Sequence, residues 1–167
     1  MDIKTVSERL RQSLPAHAVQ TDVPMSEYTT FRIGGPCDLM VLPETEEQAV
    51  FAINVLREME APFVVVGNGS NILVADAGYR GCVVHMVGGG HTIALDERAG
   101  RVYAGAGENM LTVARFCAEH GLAGMECVSG IPGSLGGTVA MNAGAYEKEM
   151  KDVVHAVRVL KPNGTVE

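Results

Sequence analysis

The groups of this chain best placed to do chemistry are backbone amides in glycine-dense loops. Twelve of its 20 glycines fall at 67–69, 88–90, 105–107, 130–137 and 144, mostly in bursts. Clustered glycine marks backbone in conformations that other residues avoid, or backbone that another group approaches closely. In Gly67-Asn68-Gly69-Ser70-Asn71, two glycines let successive N–H groups turn to one side as an anion nest, and Ser70 and Asn71 add side-chain donors. A diphosphate suits such a nest; a tight turn between strands is the plainer reading. No Gly-Lys-Ser/Thr follows, so this is not a Walker A loop. Ile72 stands where a dinucleotide fingerprint needs its third glycine.

Gly105-Ala106-Gly107 follows a strand and opens a helix, yet Met110 takes the third glycine position and the strand belongs to an expected hairpin. A structural strand-to-helix turn is the better reading than a Rossmann turn. The longest burst runs Ser129-Gly130-Ile131-Pro132-Gly133-Ser134-Leu135-Gly136-Gly137 and continues through Gly144 to Tyr146. Its glycines and proline predict no regular element, only an ordered loop whose amides could face a large planar ligand. A flexible linker is the competing reading, but linkers rarely carry Ile131, Leu135, Val139 and Met141.

Other chemistries have little support. Cys37, Cys82, Cys117 and Cys127 form no C-x-x-C pair and are expected to be inert buried thiols. The histidines are scattered, and no metal site is expected. The net charge of −7, with no basic cluster, argues against nucleic acid. It also means that a phosphate-bearing ligand must be held by local groups, against the overall field. No apolar run nears the roughly 20 residues of a membrane span, and Met1 to Leu14 lacks the apolar core of a signal peptide. A cytoplasmic protein is expected.

The elements that must position these loops are legible in outline. Ile3, Val6, Leu10 and Leu14 fall at helical spacing, and a polar connection leads to Tyr28. Asp38 to Leu42 reads as a strand. Thr45 and Gln48 form a capping-box pattern before a helix ending near Glu60. Phe63 to Val66 reads as a buried strand, Ile72 to Val74 as an extended segment, and Cys82 to His85 as a further strand. Thr92 to Leu95 and Arg101 to Ala104 read as a hairpin. A helix is expected from about Asn109, its cap, to His120, with Gly121 as its stop. Val153 to Leu160 reads as a strand, and Pro162-Asn163-Gly164 as a turn. Thr165-Val166-Glu167 leaves the returning strand so short that the natural chain is expected to continue.

In TTFRIGGP at 29–36, VVGNGSNILVAD at 65–76 and SGIPGSLGGTVAMNAGAYEKEMKDV at 129–153, the chain resembles the UDP-N-acetylenolpyruvoylglucosamine reductase family. The segments stand in that family's order and resemble its shorter type. Glu147-Lys148 departs from it where many relatives carry glycine. The resemblance implies an α+β, two-lobed FAD-binding fold of the p-cresol methylhydroxylase type, truncated before the substrate-binding domain. The divisions expected are a helical segment 1–22, a first lobe 23–86 and a second lobe 87–167. It further implies that Gly67, Asn68, Gly69, Ser70 and Asn71 hold the FAD diphosphate. Ser129, Gly130, Ile131, Pro132, Gly133, Ser134, Gly136, Gly137 and Gly144 would lie along the diphosphate and flavin.

The implied reaction moves hydride from NADPH to the flavin and then to the enolpyruvyl double bond of a UDP-sugar. In the family a serine donates the proton, and an arginine from a Tyr-Arg-x-Ser motif and a glutamate assist at the enolate. None of those motifs occurs here, Arg158 included, so no catalytic residue is assigned and the chain alone is expected to be inactive. Expected partners are the UDP-sugar and NADPH, with no nucleic acid or membrane, and a monomer. The alternatives are another FAD-dependent oxidoreductase of the same fold or a non-catalytic flavin- or nucleotide-binding module.

Overall fold

The computed structural model describes residues 2–86 and 93–167. Gly88, Gly89, Gly90 and Thr92, expected as a glycine burst and a strand start, lie outside the described residues.

Helix α1 (Ile3–Arg11) buries Val6 and Leu10, and its N-cap Asp2 accepts from the Lys4 N–H. Strand β1 (Val19–Pro24) comes next, so the expected polar connection holds a strand. It runs antiparallel to β2 (Pro36–Val41), burying Val19 and Val23 while Thr21 and Asp22 face water. Helix α2 (Glu46–Glu58) starts at the Thr45 cap, whose side chain accepts from the Gln48 N–H. The Gln48 side chain reaches the Glu44 N–H rather than closing a reciprocal box with Thr45.

Strands β3 (Phe63–Val66) and β4 (Tyr79–His85) complete a four-stranded sheet in the order β1-β2-β4-β3, with β4 parallel to both its neighbours. The expected burial of β3 holds at Val66 but not at Val64 and Val65. As the sheet's edge it leaves Val64 39% and Val65 50% exposed, because only β4 pairs with it. Ile72 to Val74 forms no strand.

Side-chain alternation along the strands gives the sheet two cores. Leu39, Val41, Cys82 and Val84 face α1 and α2, packing with Leu10, Val55 and Leu56. Met40 and Val83 face the other way, with Met25, Val66, Tyr28 and Val74. Full burial of each such aliphatic side chain stabilises by roughly 1.5–3 kcal/mol.

The expected hairpin forms between β5 (Ile93–Asp96) and β6 (Arg101–Ala104), closed by Asp96 accepting from the Arg98 and Ala99 N–H groups. Helix α3 (Met110–Glu119) begins at Asn109, whose side chain accepts from Leu111 and Thr112, and stops before Gly121 at φ 68°. The stretch expected to hold no regular element contains helix α4 (Leu135–Ala140). One of its two glycines is required by packing, since Gly136 lies against Ala106, where a Cβ would come within 2.8 Å of that residue's methyl. Met110, Cys127, Val128 and Met150 form this unit's core, packed with Ile131, Leu135 and Val139.

Strands β7 (Gly144–Ala145) and β8 (Lys148–Glu149) make a tight hairpin. The expected strand over Val153 to Leu160 is absent, since no described strand pairs with it. Only its end joins a small closure, in which Lys161 donates to Thr165 and Leu160 bridges Val166. This tail is tied back to α2. Arg57 donates to the Lys161 carbonyl at 2.7 Å, and Arg158 pairs with Glu46 at 2.9 Å. No helix among the described residues is long and apolar enough to cross a membrane.

Candidate functional site

Strand β3 ends at Val66, and the chain leaves the sheet's edge as the Gly67–Asn71 loop. Gly69 has φ 63°, the left-handed conformation that glycine adopts at low cost. Its Cα also faces the Tyr28 carbonyl so closely that any Cβ would collide with that oxygen. The segment after Tyr28 holds the loop from outside. Thr30 donates its N–H to the Gly69 carbonyl at 3.2 Å, and Thr29 closes its own turn by donating its hydroxyl to Ile33 O at 2.9 Å.

The second glycine-dense segment is held by the turn before α3. Leu135 and Gly136 donate their N–H groups to the carbonyls of Glu108 and Ala106, at 2.7 and 2.8 Å, while Met110 donates to Gly133 O at 3.0 Å. Gly105-Ala106-Gly107 is therefore a structural turn, as expected, and one that carries the longer glycine loop on its back.

The two segments meet. Ser70 Oγ donates to the Pro132 carbonyl at 2.8 Å, bridging 62 residues of sequence. Gly133 lies beside the same hydroxyl, its Cβ position 3.3 Å away. Gly67 stands against Ser134, whose hydroxyl would be struck by any side chain at position 67. Ser134 is 4% exposed, and its hydroxyl caps no helix N–H.

The amides at this junction are unused. Among the described residues, none of the N–H groups of Gly67, Asn68, Gly69, Ser70 and Asn71 donates a hydrogen bond, nor do those of Gly130, Gly133, Ser134 and Gly137. Buried backbone donors are normally satisfied, and Gly69, Gly133 and Ser134 are buried; here neutral donors accumulate on two touching segments that contain no Lys or Arg. Such an array can stabilise an anion without a countercharge.

Not every expected site residue joins the junction. Ser129 and Ile131 donate their N–H groups to Glu126 and Val128 within the turn before Gly133. Gly144 sits on β7, where the facing Lys148 and Glu149 backbone would strike a Cβ. It borders an open depression of about 570 Å³ with Glu147, Lys148, Glu149, Lys151 and Asp152, a lining that includes neither glycine loop.

Sequence reasoning missed Tyr28, Thr29 and His85. His85 ends β4 directly opposite Val66, the residue that leads into Gly67. Its ring meets Tyr28 edge to face, centroids 5.0 Å apart, and burial lowers its pKa. The sequence carries no local signal of this, since the pairing of His85 with Val66 depends on the register between two strands. The cysteines are all free and buried, and burial raises the Cys82 thiol to about 12.

A sheet whose strand-end loop meets a glycine-dense segment carried by a second α+β unit is the p-cresol methylhydroxylase type of FAD-binding fold. The solved structure of alkyldihydroxyacetonephosphate synthase shares it, with a TM-score of 0.74 at 18% identity over 98% of this chain and 35% of that one. The chain belongs to the FAD binding domain family, whose profile matches residues 37–167. It is 37% identical to the UDP-N-acetylenolpyruvoylglucosamine reductase of Clostridioides difficile (strain 630) over 166 residues, 99% of this chain and 54% of that protein. Identity to the reductase of that name from Heliobacterium modesticaldum is 46% over 143 residues, 86% of this chain and 45% of that one. The crystal structure of UDP-N-acetylenolpyruvylglucosamine reductase from Thermus caldophilus superposes with a TM-score of 0.72 at 36% identity, over 87% of this chain and 50% of that one. The chain thus spans about half the length of the curated relatives it matches.

Proposed function

We propose that this chain is the FAD-holding part of an NADPH-dependent reductase acting on the enolpyruvyl ether of UDP-N-acetylglucosamine, a step of cell-wall peptidoglycan synthesis. One observation carries the reading: two glycine-dense segments, remote in sequence, abut and both carry backbone amides that no described residue accepts from. A diphosphate fits that donor set, because an acidic chain must hold phosphate with local neutral dipoles. The lobes 23–86 and 87–167 would each contribute one segment. Gly67 to Asn71 would hold the diphosphate, and Gly130, Gly133, Ser134 and Gly137 would continue along it toward the flavin. Bound FAD would supply hydride transfer; these residues would bind and orient it and keep water from its phosphates. The similarity to named reductases favours this substrate over those of other flavoproteins with the same fold. The chain carries no Tyr-Arg-x-Ser motif, and no residue here is given the proton-donor or enolate role.

The test is a titration of the purified chain with FAD, followed by flavin fluorescence and the visible spectrum. Saturable uptake at one equivalent supports the reading; no uptake after reconstitution overturns it. The substrate is tested separately, by NADPH oxidation that requires the enolpyruvyl UDP-sugar in a polypeptide extending to the relatives' full length.

A further inference from the structure

His85 Nδ1 is sealed from solvent and has no hydrogen-bond partner, the one buried side-chain nitrogen or oxygen in that condition among the described residues. An imidazole presents two nitrogens, and a neutral ring has one donor and one acceptor. A buried N–H without an acceptor is less well tolerated than a buried lone pair without a donor. The sealed position is therefore where the lone pair belongs, and the proton belongs on Nε2. Protonating both nitrogens would put an unsatisfied N–H in the core, and burial correspondingly lowers the pKa of this group. His85 is only partly buried, and Nε2, which no described residue engages, is the ring's open polar atom.

The ring's location gives that donor a use. In β4, His85 pairs with Val66, and the following residue, Met86, donates its N–H to the Val66 carbonyl at 2.7 Å. Both contacts place the His85 backbone beside the entry to the Gly67–Asn71 loop. On its other side Tyr28 packs edge to face, and the Tyr28 carbonyl in turn presses against Gly69. The imidazole thus belongs to a residue beside the loop's entry and packs on the segment that braces the loop, with one donor open.

We propose that His85 is a cofactor-binding residue, its Nε2–H donating to an oxygen of the diphosphate–ribose part of the dinucleotide held at the Gly67–Asn71 loop. This rests on the flavin reading above. It adds a side-chain donor, neutral like the amides around it, to a site otherwise built from backbone.

Three versions of the chain test it: wild type, His85→Gln, whose amide nitrogen reaches the Nε2 position, and His85→Leu, which has no donor. FAD affinity is read by titration, ligand-free stability by melting, and the wild-type tautomer by nitrogen-15 NMR of the ligand-free chain. The expected result is an Nε2–H tautomer, His85→Gln within about twofold of wild type, and His85→Leu roughly tenfold weaker, the worth of one hydrogen bond to a charged group. His85→Leu should melt no lower than wild type, since leucine removes the unsatisfied nitrogen. Leucine binding as tightly as wild type, or an Nδ1–H tautomer, overturns this inference and leaves the flavin reading standing. Weaker binding that tracks a lowered melting point also overturns it, marking His85 as a packing residue. A wild-type chain that takes up no FAD overturns both.

Discussion

Gly67 and Ser134 face each other so closely that a single methyl at position 67 would fall on the serine hydroxyl. One residue closes the first glycine loop's entry and the other opens helix α4, so this contact sets the spacing between the two amide arrays.

Gly67→Ala should therefore act on the junction rather than on the loop alone. Overpacking of this kind costs about 1–3 kcal/mol, and FAD affinity should fall at least tenfold. The double variant Gly67→Ala/Ser134→Gly removes the obstructing hydroxyl and should recover most of the loss. Additivity of the two single effects, measured by titration and urea unfolding, would contradict the contact's role.

Gly69 makes a different demand. Its φ of 63° alone would tolerate asparagine, whereas the Tyr28 carbonyl leaves no room for any Cβ. Gly69→Val and Gly69→Asn should both abolish FAD uptake. An asparagine variant that binds like wild type would mean that the backbone angle, not the carbonyl, requires glycine.

Asn109 caps α3 with its side chain, and the same turn receives Leu135 and Gly136. Asn109→Ala should cost about 1 kcal/mol of stability. Because the second glycine segment hangs from this turn, flavin affinity should weaken as well. Denaturant unfolding and titration on the same samples would show whether both move.

The His85 pKa is lowered from its ordinary 6.5 by burial. In the range between that value and the lower folded one, the unfolded chain binds more protons, so stability rises with pH there. The contribution is complete above about 6.5 and is lost as pH falls below it. His85→Leu should flatten that part of the stability profile, measured by urea unfolding on both sides of that pH.

Much of the fold was legible because the signals were local. Thr45 and Asn109 announced their helices as caps, Gly121 its helix end, and Asp96 to Gly100 a hairpin turn. The misses came from tertiary context. Val19 to Pro24 carries polar residues because one face of this edge strand meets water, and so it read as a connection. Val64 and Val65 read as buried although β3 has a neighbour on one side only. Leu135 to Ala140 is helical despite Gly136 and Gly137, and at Gly136 the contact with Ala106 leaves no space for a side chain. For the site, composition marked both glycine segments. Their meeting through Ser70 and Pro132 spans 62 residues and has no local signature. His85 was invisible for the same reason: its neighbour Val66 is set by strand register, which a single strand does not encode.

The most direct test of the central claim is amide NMR of the chain titrated with FAD. Shifts concentrated at residues 67–71 together with 130, 133, 134 and 137 are the predicted result. Shifts confined to one of these segments, or centred elsewhere with both segments silent, would contradict a shared dinucleotide site.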